Sequence, residues 1–145
     1  MNLFLKTLIL VLFFSCEKDK SETPQAPVKP YDNALAATWK LISVTSNSGA
    51  ITTNPTDKEI LTTFQKDTNT LTFENAGSMG SGKYTLLSSN RLNIAAQRAD
   101  RGGWPNGPWL DLYLENINKA NSYQVIDNQL KITTSEGSKI QFSKL

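Results

Sequence analysis

Polar and apolar residues alternate along several short runs of this chain, most regularly toward its end. Successive side chains of a strand point to opposite faces, so alternation marks strands with one buried face. Trp39-Lys40-Leu41-Ile42-Ser43-Val44-Thr45 reads as the first strand, apolar at Trp39, Leu41 and either Ile42 or Val44. Ser46-Asn47-Ser48-Gly49 breaks it. Ala50 to Asp67 admits two readings. Thr56 or Asp57 can cap a helical turn through Leu61, or Ile60-Leu61-Thr62-Thr63-Phe64 can form a strand.

A hairpin follows. Leu71 and Phe73 share one face, Asn75 to Gly82 reads as a glycine-rich turn region, and Tyr84 and Leu86 align on the return. Ser88-Ser89-Asn90 turns again before Leu92 and Ile94, completing a three-strand meander. From Ala96 to Pro108 the alternation stops in a loop rich in glycine and proline. The period then changes. Trp109, Tyr113 and Ile117 recur every fourth residue, which predicts a helix over Trp109 to Lys119 with Pro108 in its first turn. Leu110, Leu112 and Leu114 also alternate, so a strand is the competing reading. Asp127-Asn128 and Ser135-Glu136-Gly137 turn between three closing strands, with Ile140 and Phe142 facing inward. The pattern predicts a mainly β fold, a small antiparallel meander or barrel-like sheet with one short helix, over residues 37–145.

The start of the chain has a different character. Lys6 precedes an apolar run from Leu8 to Phe14, then Ser15 and Cys16, then Glu17-Lys18-Asp19-Lys20. A basic start, a short apolar core and a small residue describe a secretory signal. The run is well short of the roughly 20 apolar residues a membrane span needs. Leu12-Phe13-Phe14-Ser15-Cys16 resembles the lipobox of bacterial lipoproteins, in which the cysteine after the cut receives lipid. Residues 1–15 are therefore expected to be a signal peptide and Cys16 the lipid attachment site. Residues 16–36, with Pro24, Pro27 and Pro30 among charges, are expected to be a flexible tether. These features imply an exported protein anchored by lipid at the outer membrane or a periplasm-facing membrane. Glu17, Asp19 and Glu22 beside the cysteine are compatible with surface exposure.

Composition narrows the chemistry. The chain of 145 residues carries a formal charge of +2, too little to draw nucleic acid by bulk electrostatics. Cys16 is its only cysteine, so no disulfide can form within it, and it contains no histidine. A Ser-His-Asp triad and every histidine-containing zinc site are thereby excluded.

The ordered pieces Trp39-Lys40-Leu41, Leu71-Thr72-Phe73, Gly82-Lys83-Tyr84, Leu92-Asn93-Ile94, the helix, and the strands from Tyr123 to Phe142 resemble the META or HslJ-like domain of bacterial envelope lipoproteins. Met79-Gly80-Ser81-Gly82 stands where that family often has Gly-Cys-Asn, and Arg98 to Pro108 replaces its Thr-x-x-Cys region. The chain thus resembles a divergent member, or the neighbouring lipocalin-like lipoprotein group, which also begins Trp-Lys-Leu and ends in hairpins. The resemblance implies no enzyme activity, no cofactor and a part in envelope maintenance.

Few residues are candidates for chemistry. Gly77 to Gly82 lacks the Gly-Lys-Ser end of a phosphate loop. Asp111 and Glu115 would share a helix face, with no spacing that marks a cleft. The distinctive segment is Arg98 to Trp109. Arg98, Arg101, Trp104 and Trp109 gather flat apolar faces and donor forks suited to a glycan, a peptide or an anionic headgroup. The plainer reading has both tryptophans capping the core and both arginines in solvent. Three functions remain: a noncatalytic envelope protein that binds another protein or packs within an assembly, a lipocalin-like carrier of a small apolar ligand or glycan, and a carboxylate hydrolase or an inhibitor of one.

Overall fold

The computed structural model describes residues 32–55, 58–75, 77–87, 90–99 and 107–145. They form nine strands and one helix: β1 (Thr38–Thr45), β2 (Ile51–Thr53), β3 (Leu61–Gln65), β4 (Thr70–Asn75), β5 (Ser78–Leu86), β6 (Leu92–Arg98), α1 (Pro108–Ile117), β7 (Ala120–Ile126), β8 (Gln129–Thr134) and β9 (Lys139–Lys144). Every pairing is antiparallel, and the order across the sheet is β6-β5-β4-β3-β1-β9-β8-β7, with β2 on β1. Apart from β2, each strand lies beside its neighbour in sequence and β9 returns to β1, as in an up-and-down barrel.

The ring closes at the seam between β6 and β7, where few backbone hydrogen bonds are available. Arg91 and Ser122 form an isolated bridge, and the Tyr123 amide donates to the Asn90 carbonyl at 3.0 Å. Asn118 completes the seam with its side chain. Its Oδ1 accepts from the Ala96 amide at 2.7 Å, and its Nδ2 donates to the Ala96 carbonyl at 3.1 Å. One amide side chain thus imitates the two-bond pairing of a strand residue.

Alternation supplies the core. Trp39, Leu41, Leu71, Leu92, Leu130, Ile132 and Ile140 are fully shielded from solvent. A bulge at Ile42 settles which later residue of β1 turns inward. The register shifts between Leu41 and Ser43, so Val44 is buried and Ile42 is exposed. The closing turn has positive φ at both Asp127 and Asn128, the geometry of a two-residue hairpin turn.

Three expectations need correction. Residues 78–82, expected in a loop, are the first part of β5. Their glycines serve close approach. A Cβ on Gly82 would lie 2.3 Å from the Ala95 carbonyl oxygen, and one on Gly80 would meet the Phe73 ring at 2.0 Å. Strand β6 runs on to Arg98, so the irregular segment starts later than Ala96. Asp32 to Ala36, expected in the tether, packs against the barrel, with Leu35 fully buried. The helix follows the four-residue stripe, since Trp109, Tyr113 and Ile117 are all buried, and the strand reading of this segment is set aside.

Candidate functional site

Plugs from outside the sheet close the two ends of the barrel. At the end where β1 begins, the Asp32 carbonyl accepts from the amides of Leu35 and Ala36 at 3.1 Å, forming a tight turn that inserts Leu35. Trp39 Nε1 donates to the Leu35 carbonyl at 2.8 Å. The Tyr123 hydroxyl donates to Asp32 Oδ2 at 2.6 Å. Burial, and then this bond to a carboxylate, push the Tyr123 phenol well above its ordinary pKa. Nearby, Tyr84 donates to the Gln65 carbonyl at 3.2 Å, and its phenol is raised by burial and then by the Asp32 charge.

At the opposite end α1 lies over the mouth and inserts Tyr113. Its hydroxyl pairs with Thr62 Oγ1 at 2.9 Å in the interior, and its ring meets Phe73 edge-on at 5.4 Å. Complete burial raises its pKa strongly, against a smaller opposing effect of the Thr62 bond. Between these plugs the inward side chains of the described strands are buried against one another in a single apolar cluster.

The sequence-derived candidates are dispersed. Arg98 ends β6 on its inward face, with a side chain only 18% exposed, and Nη1 lies 3.7 Å from Asp111 Oδ1 of α1. Trp109 occupies the first turn of α1 and is 4% exposed, so it belongs to the core. For these two residues the structure matches neither an exposed binding loop nor a solvent arginine. Arg101 and Trp104 lie outside the described residues, as does Cys16. Asp111 and Glu115 serve different cations. Asp111 faces Arg98, whereas Glu115 and Glu136 hold Lys119 at 3.1 and 3.0 Å and raise its pKa, Glu136 the more. Among the described residues no cluster of carboxylates or thiols is arranged to hold a metal, and no helix is long and apolar enough to cross a membrane.

A concavity that none of these candidates lines lies elsewhere, on the outer wall. A groove of about 420 Å³ crosses β1, β3, β4 and β5. Pairing sets Thr38 beside Thr63, Thr63 beside Thr72, and Thr72 beside Ser81, a row of four hydroxyl residues across four strands. Thr38 and Thr63 share a hydrogen bond at 2.9 Å. The next outward row is Lys40, Leu61, Glu74 and Met79. Met79 is 64% exposed. A second hollow of about 290 Å³ shares Leu61, Glu74 and Met79 and extends the groove to Glu59, which is ion-paired with Lys40. No spacing in the sequence signals this groove, because its residues meet only once strand order and register are known.

A nearly closed antiparallel barrel capped by a short helix is the class that this fold and surface define. No family model matches the chain, and no curated protein matches it. Two solved structures share the fold. A Burkholderia xenovorans protein solved by NMR aligns with a TM-score of 0.62 at 15% identity, covering 88% of this chain and 96% of that one. The crystal structure of a DUF4847 family protein from Bacteroides vulgatus aligns with a TM-score of 0.56 at 17% identity, covering 77% of this chain and 94% of that one. Neither is described as an enzyme. At these identities the likeness concerns the fold alone.

Proposed function

We propose that this chain is a noncatalytic, lipid-anchored envelope protein whose barrel binds a partner on its outer wall. The observation that carries this reading is the pair of plugs, Leu35 and Tyr113, inserted from opposite ends and both fully buried. A barrel packed in this way presents its outside to a partner. The apolar run before Cys16 and the absence of histidine support export and a role without catalysis. The order of strands and helix supports the META or HslJ-like reading, or its lipocalin-like neighbour, as the family. A small-ligand carrier is the second reading. The up-and-down strand order favours it, but it requires one plug to withdraw.

The test has two parts. Mass spectrometry of the membrane fraction should find a lipid-bearing fragment that begins at Cys16. An unmodified chain retaining Met1 would contradict the anchor. Cross-linking in intact envelopes should return a reproducible partner joined through outward residues of the barrel. Repeated recovery of none would contradict the binding role.

A further inference from the structure

We infer that the outer groove over β1, β3, β4 and β5 is a binding site for an uncharged oligosaccharide laid across the strands. The inference rests on the proposed outer-wall binding and names its ligand class. The groove volume of about 420 Å³ falls within the usual range for ligand sites. Its floor is Thr38, Thr63, Thr72 and Ser81, and each hydroxyl can both donate and accept. Adjacent strands stand about 4.8 Å apart, close to the length of one pyranose unit in an extended glycan. Successive sugar rings would therefore meet successive hydroxyls. Leu61 and Met79 flank the row and offer apolar contact to the C–H faces of the rings. The Glu74 carboxylate has two acceptor oxygens, suited to a pair of neighbouring sugar hydroxyls.

The same residues argue against other occupants. A peptide adding as a strand needs an open sheet edge, and β3, β4 and β5 are each paired on both sides along this row. An acidic sugar would bring its carboxylate toward Glu74 and Glu59.

The test is an NMR titration of the full chain in phosphocholine detergent, which carries no sugar headgroup. Cellohexaose, mannohexaose and laminarihexaose are the neutral probes, and hexagalacturonate is the acidic control. At least one neutral probe should give saturable amide shifts at Thr63, Thr72 and Ser81, and hexagalacturonate should give none there. Thr72→Val keeps a β-branched side chain at an exposed strand position and should leave the melting temperature unchanged. It should weaken binding by up to about tenfold, the effect of one neutral hydrogen bond. The inference is overturned if no neutral probe moves these amides, if the acidic control binds equally well, or if folded Thr72→Val binds as before. If sugars fail while envelope cross-linking still returns a partner on the outer wall, the saccharide assignment alone falls.

Discussion

Tyr113 shows how one residue can close a barrel. Its ring fills the mouth, and its hydroxyl finds Thr62 in a region where an unpaired polar group would be costly. Tyr84, Tyr113 and Tyr123 all have phenol pKa values raised above the ordinary 10.0. Each resists ionisation in the folded state more than in the unfolded chain. Above pH 10 the unfolded state therefore binds fewer protons than the native state, and stability falls as pH rises. Thermal melts should be insensitive to these groups from neutral pH to about pH 9 and should drop beyond pH 10. Tyr113→Phe leaves Thr62 without its partner and should cost about 1–3 kcal/mol at neutral pH. It should also flatten the alkaline drop, because one of the three phenols is gone. A melt as stable at pH 11 as at pH 8 would contradict this account.

At the scale of elements the seam between β6 and β7 is the weak join, because α1 interrupts the meander there. Asn118 compensates with two bonds to the Ala96 backbone. Asn118→Ala should cost about 1–3 kcal/mol and speed hydrogen exchange at the Ala96 amide far more than at Phe142, which sits between β8 and β1. Equal effects at both amides would show general destabilisation instead. The closing hairpins and the helix were legible in the sequence because their signals are local: alternation, Asp127-Asn128 in a tight turn, and a stripe every fourth residue. Residues 78–82 were not, since glycine reads as a turn whether it frees the backbone or makes room for a neighbour. The contact that explains Gly82 comes from Ala95, a strand away. Arg98 misled for a related reason. Its charge and its nearness to glycine and proline placed it in a loop, whereas its strand register turns it toward α1.

For the whole molecule, alternation predicted which residues face inward but not what the enclosed space holds. Whether a barrel is hollow depends on the summed volume of its inward side chains and on what enters from its ends. Leu35 and Tyr113 come from segments outside the sheet, so strand patterning alone could not reveal the plugged ends. The outer groove was hidden for the same reason, as Thr38 and Ser81 come to share one outward row only through two intervening strands. On the proposed function this barrel is packed inside and binds on its outside. Titrating the full chain with palmitate while following the side-chain methyl signals of Leu41, Leu130, Ile132 and Ile140 tests it. These interior methyls should keep their shifts throughout the titration, and saturable shifts among them would contradict a packed interior.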